Sequence, residues 1–211
     1  MSEHSPAARP AVLWAIAALS VAALLGLDSL TRAEIGRNEE RALAARIDDV
    51  LLGLAYDNVP VQDRATVIAP ELAAEGNPVT VYRARRAGAV VGVALDVGTQ
   101  RGYQGPIRLL LGLDANGRVL GVRVTRHTET PGLGAVVAAN DSSWARQFAG
   151  RTLADPPLAD WSVRRDGGRY DQLTGATVTS RAVVGAVRDA ALLLDSRRAE
   201  VLGTPASAST P

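Results

Sequence analysis

The period of the apolar positions changes twice along the chain. After a short polar start, residues 11–27 read AVLWAIAALSVAALLGL, an uncharged run in which Ser20 is the clearly polar residue. From Ser29 to Leu54 apolar residues recur between charges at Ile35, Leu43, Ile47, Val50, Leu51 and Leu54. That spacing predicts a helical stalk over residues 29–55. Tyr56-Asp57-Asn58-Val59-Pro60 reads as a loop. Arg64 to Ala74 is open to either a short strand or a helix. The period then falls to two. Val79–Ala84, Ala89–Val97, Ile107–Leu113 and Val119–Thr125 predict four strands, and Asp114-Ala115-Asn116-Gly117 joins the last pair as a hairpin. Ser143–Ala149 reads as a short helix and Trp161-Ser162-Val163 as a further strand. Ser180–Ser196 reads as a helix with Val183, Val184, Val187, Ala190, Ala191 and Leu194 on one face. Residues 199–211, rich in Gly, Thr, Pro, Ala and Ser, read as a disordered tail. The expected fold is α+β, with one core and a mostly antiparallel sheet packed by helices.

The first run has three readings. A span of roughly 17–25 apolar residues suits a transmembrane helix, and Trp14 lies near one end, where interfacial aromatics gather. A cleaved leader fits less well, because Thr31-Arg32-Ala33 lacks the small-residue pattern of a cleavage site. A buried soluble helix fits least, since the run is apolar on every face and stands alone at the terminus. The favoured reading is an anchor over residues 11–28. Arg9 precedes it and Arg32, Arg37 and Arg41 follow, so the basic residues do not by themselves place the amino terminus in the cytoplasm.

Composition narrows the chemistry. The chain has 211 residues, no Cys, two His and a formal net charge of +1. Without Cys there are no disulfides, iron–sulfur ligands or Cys-based zinc sites, and two His cannot make a His-rich metal site. A near-neutral balance argues against a nucleic-acid partner. Redox chemistry would therefore have to come from a bound organic cofactor.

The richest stretch is DQLTGATVTS, residues 171–180. Thr174-Gly175-Ala176-Thr177 directly precedes the last predicted helix, where free N–H groups and the positive end of the dipole converge. Gly175 lets the backbone approach an anion, small Ala176 keeps the approach open, and several hydroxyls can donate. This is a candidate phosphate cradle. Plain capping is the simpler alternative, with Thr179 or Ser180 as N-cap. The lysine of a P-loop is missing, and no base partners a nucleophilic Thr.

Asp171-x-x-Thr174-Gly175-Ala176-Thr177-x-Thr179 resembles the flavinylation motif of the FMN-binding domain family. His127-Thr128-Glu129-Thr130-Pro131-Gly132-Leu133-Gly134, Gly102-Tyr103-x-Gly105-Pro106-Ile107 and Tyr56-Asp57-Asn58 resemble further signatures in the family's order. Over most of its length the chain is similar to the G subunits of Rnf-type ion-translocating electron transport complexes. The related C subunits of the sodium-pumping NADH:quinone reductase are generally longer and fit less well. Thr174 stands where Ser is common in the family, and the hydroxyl is kept.

The resemblance implies one FMN-binding domain over residues 56–198, behind a cytoplasmic segment 1–10 and the anchor. It implies FMN attached through its phosphate to Thr177, with Thr174, Gly175, Ala176, Thr179 and Ser180 around the phosphate. Glu129, Thr130, Gly132 and Leu133 would wall the flavin ring, although Pro131-Gly132 read alone is only a tight turn. His127 is either a flavin-tuning group or a structural hydrogen-bond partner. Tyr103 and Trp144 are candidates for stacking, with a core or surface aromatic the default for each, and Arg123 and Arg126 are candidates for phosphate, with solvated strand-face charges the default. No catalytic residue and no metal are implied, and the isolated chain would be an electron carrier. Its expected partners are membrane and iron–sulfur subunits of the same complex, and a flavin transferase for maturation. The expected place is the inner membrane, with the domain on the periplasmic side. The competing readings are a membrane-anchored binding or assembly module without flavin, and a flavinylated carrier of another extracytoplasmic reductase.

Overall fold

The computed structural model describes residues 8–73, 76–138 and 143–203. Helix α1 runs over Ala8–Val50, and five strands follow: β1 (Arg64–Val67), β2 (Val79–Arg86), β3 (Ala89–Thr99), β4 (Ile107–Asp114) and β5 (Val119–Arg126). Among the described residues two further helices follow, α2 (Thr177–Ser196) and α3 (Arg198–Leu202). The boundary between its two compact units falls between Leu43 and Ala44. The last turns of α1 therefore belong with the domain, which begins earlier than the residue 56 expected from sequence.

In the first unit the apolar run lies in α1, and Val12, Leu13, Trp14, Ile16, Leu19 and Val21 are all exposed. Among the described residues no helix is long and apolar enough to cross a membrane. The expected span also includes Ala11, Ala15, Leu24, Leu25, Leu27 and Asp28, whose side chains lie outside the described ones.

In the second unit the strands form one antiparallel meander in the order β1-β2-β3-β4-β5. Alternation explains its two faces. Val81, Val93, Leu95, Leu109 and Leu111 face a core shared with Val183, Val187 and Leu194 of α2. The opposite face is short of side chain at Gly112 and Gly121, and the end of α1 lies there. A Cβ on Gly112 would sit 2.0 Å from the Val50 carbonyl oxygen. Ile47, Val50 and Leu51 are buried on that side. The Asp114–Gly117 hairpin is closed by the Asp114 side chain, which accepts from the Asn116 and Arg118 amides at 2.8 Å each.

Two expectations are corrected and one open segment is resolved. Trp161–Val163 is not a strand: 3₁₀ turns at Leu158–Asp160 and Arg164–Asp166 flank it, with one isolated bridge between Val163 and Tyr170. Its alternating burial comes from a loop laid on the core, where Trp161 packs 4.9 Å from the Tyr170 ring. The segment 64–74 is strand and then 3₁₀ turn, at Arg64–Val67 and Pro70–Leu72. The tail is not irregular from residue 199. Arg198–Leu202 is helical and Val201 is buried, with Arg83 donating to the Val201 carbonyl at 2.9 Å. Residues 204–211 of the expected tail lie outside the described residues.

Candidate functional site

The hydroxyl-rich turn leads straight into α2. Gly175 takes a left-handed φ of +78°, which glycine adopts without a Cβ penalty. The Ala176 amide donates to the Leu173 carbonyl at 3.0 Å, closing the turn, and the helix starts at Thr177. This is three residues earlier than expected. Neither Thr179 nor Ser180 is the N-cap: that position is Ala176, and no side chain caps the helix. Both hydroxyls point inward instead. Ser180 donates to the Ala176 carbonyl and accepts from the Leu173 amide, at 3.0 Å each. The Ser180 bonds brace the turn against the helix, and the first-turn N–H groups are left without a side-chain acceptor, which favours an anion there.

Thr179 reaches across the fold. Its hydroxyl donates to Glu129 Oε2 at 2.5 Å, fifty residues away, and both side chains are buried. The other Glu129 oxygen accepts from the Gln104 amide at 3.2 Å. Gln104 Nε2 donates to the Thr130 hydroxyl at 2.8 Å, and the Thr128 hydroxyl donates to the Gln104 carbonyl at 3.1 Å. Glycine makes this junction possible. A Cβ on Gly134 would lie 2.6 Å from Glu129 Oε2, and one on Gly102 would lie 2.1 Å from the Gly105 carbonyl oxygen. Three sequence signatures therefore meet on one carboxylate.

In front of that junction is a cleft of about 390 Å³ lined by Tyr103, Thr130, Leu133, Arg165, Gly175, Ala176, Thr177 and Val178. Five of the expected site residues (Thr130, Leu133, Gly175, Ala176 and Thr177) line it. Glu129 and Thr179 form the buried layer, and Ser180 braces the turn. Thr174 and Gly132 are exposed on the two loops and are not among the lining residues. The aromatic candidates separate. Tyr103 lines the cleft and is 70% exposed, whereas Trp144 is buried with its ring edge-on to Phe148 at 5.5 Å. Trp144 Nε1 donates to the Asp171 carbonyl at 2.6 Å, and Gln147 Oε1 accepts from the Asp171 amide at 2.7 Å. The core thus fixes the start of the turn.

His127 Nδ1 accepts from the Glu129 amide at 3.2 Å, a structural hydrogen bond. Arg123 lies 3.9 Å from Asp49, and neither it nor Arg126 lines the cleft. The cation that does is Arg165, which sequence reading passed over. It sits in an exposed Arg-Arg-Asp turn that has no local pattern to mark it. Arg181 forms a two-pronged ion pair with Asp166, 2.6 Å for each bond. Hydrogen bonds from Arg181, with the nearby charges of Arg181 and Arg165, hold the Asp166 carboxyl below the usual carboxylate range. Among the described residues no group of His, Asp or Glu is arranged to hold a metal ion.

The FMN-binding domain family matches residues 102–192, a range that holds all three converging signatures. The G subunit of the ion-translocating oxidoreductase complex of Cereibacter sphaeroides is 42% identical, over 93% of this chain and 93% of the relative. The proteins of the same name from Pseudomonas aeruginosa and Escherichia coli are 40% and 39% identical, over 90% of this chain and 88% and 91% of their own lengths.

Proposed function

The chain belongs to the family of G subunits of ion-translocating oxidoreductase complexes, and from that membership we propose that it carries electrons on an FMN joined through its phosphate to Thr177. The observation that carries this reading is the position of Thr177. It is the first residue of an uncapped helix and it lines the cleft.

The residues present fit the group. Uncapped N–H groups and the helix dipole suit a phosphate. Gly175 and Ala176 leave its approach open. Tyr103, Leu133 and Val178 offer apolar surface to a planar ring, with Thr130 as a hydrogen-bonding group among them. Glu129 and Thr179 hold the two walls together from behind. When bound, the isoalloxazine supplies the electron chemistry, and the protein supplies position and electrostatics. Thr177 is then an anchor, not a turnover nucleophile, and the tether keeps the cofactor beside its site at high effective concentration.

The remaining parts of the proposal follow from the sequence run and the family. Residues 11–28 anchor the chain in the inner membrane, a reading supported by the exposed apolar side chains of α1. Residues 1–10 are cytoplasmic and the domain is periplasmic, where a flavin transferase loads it. Its electron partners are membrane and iron–sulfur subunits of the complex, and electron flow is coupled to ion translocation. The test is co-production of the full chain with a flavin transferase. In-gel flavin fluorescence should be lost in Thr177→Val and kept in Thr177→Ser, where a hydroxyl remains. Covalent flavin retained in Thr177→Val would overturn the proposal.

A further inference from the structure

The turn Arg164–Asp166 brings Arg165 to the cleft, and the arginines around it differ in engagement. Arg164 pairs with Asp171 at 2.9 Å. Arg181 is committed to Asp166, and Arg101 and Arg188 to Asp189 at 2.6 and 2.8 Å. Among the described residues the Arg165 side chain makes no hydrogen bond or ion pair; its amide alone donates, to Gln172 Oε1 at 3.4 Å. Among the described residues Arg165 is also the one charged residue that lines the cleft.

The clamp beside it holds the turn against α2. Arg181 lies four residues after Thr177 in α2, so the two project from the same side of the helix. By gripping Asp166, Arg181 draws the turn to the Thr177 side of α2. Arg165, the preceding residue, lines the same cleft as Thr177. Guanidinium is planar, permanently charged and suited to two-pronged phosphate contact.

We infer that Arg165 is the counter-charge for the flavin phosphate on Thr177, and that Asp166 and Arg181 are positioning residues that hold it there. The inference rests on the proposed attachment at Thr177. A phosphodiester carries one negative charge, and the helix start offers only partial positive charge against it. Arg165 supplies the full unit without forming an ion pair that would first have to break.

The test uses the full chain co-produced with a flavin transferase, and reads the fraction carrying the adduct and the ³¹P resonance of the phosphodiester. Arg165 is exposed, so Arg165→Gln leaves the core untouched. In Arg165→Gln the ³¹P resonance should shift, or the adduct fraction should fall severalfold at equal yield of chain. Arg86→Gln, at an exposed position on β2 that does not line the cleft, should leave both unchanged. Asp166→Asn should reproduce the Arg165→Gln shift, and Asp166→Glu should reverse it. An Arg165→Gln chain with the wild-type resonance and adduct fraction would overturn the inference. A shift in Arg165→Gln with none in Asp166→Asn would overturn the clamp. A wild-type chain with no adduct would instead overturn the attachment at Thr177.

Discussion

The Thr179 hydroxyl donates to the buried Glu129 carboxylate at 2.5 Å, and this bond ties the first turn of α2 to the loop after β5. With the Gln104 amide on its other oxygen, Glu129 locks three loops around one cleft. Removing either partner leaves a buried polar group unsatisfied. Thr179→Val should cost about 1–3 kcal/mol. Glu129→Ala should cost about 2–4 kcal/mol, because it also opens a cavity between tightly packed glycines. The double variant should be less destabilised than the sum of the two, with a coupling of about 1–3 kcal/mol. Urea unfolding of the four chains measures this directly, and strict additivity would contradict it.

Gly112 faces the end of α1, with the Val50 carbonyl where a Cβ would go. Gly112→Ala should therefore destabilise the domain by about 1–3 kcal/mol through overpacking. It should also loosen residues 49–54, read as faster proteolysis there. Gly117→Ala is a useful comparison: it meets no crowding, but its φ of +83° makes it strained for a different reason. The two should differ in proteolysis at residues 49–54, since only the first displaces α1.

Tyr56 donates to Asp48. Burial, then that hydrogen bond and the carboxylate charge, push its phenol from 10 up to about 12. The folded value lies above the unfolded one, so the native state holds the proton more tightly. The resulting stability is complete below pH 10 and is lost as pH rises towards 12. Denaturant midpoints should fall over that window in the wild type and fall less in Tyr56→Phe. Burial also raises the Tyr82 and Tyr170 phenols, so some slope should remain in the variant. Equal slopes would contradict the account.

Local pattern carried the sheet. Alternating β-branched and apolar residues marked β2 to β5 to within two residues of their ends, and the Asp114–Gly117 turn marked the hairpin. A family motif singled out Gly175, Ala176 and Thr177 together, and these three line one cleft. Less legible were features made by distant contact. Thr179 looks like a cap in sequence, because the carboxylate that engages its hydroxyl lies fifty residues away. Trp161–Val163 alternates like a strand, yet its backbone pairs within a loop that folds back at Tyr170. Arg165 gains its place only through the pairing of Asp166 with α2. No periodicity encodes such pairings.

The most direct measurement is the intact mass of the full chain purified from its own membranes, with fragmentation to locate any adduct. The account predicts an addition of one FMN less one water, carried on Thr177. An unmodified chain, or an adduct on another residue, would contradict it.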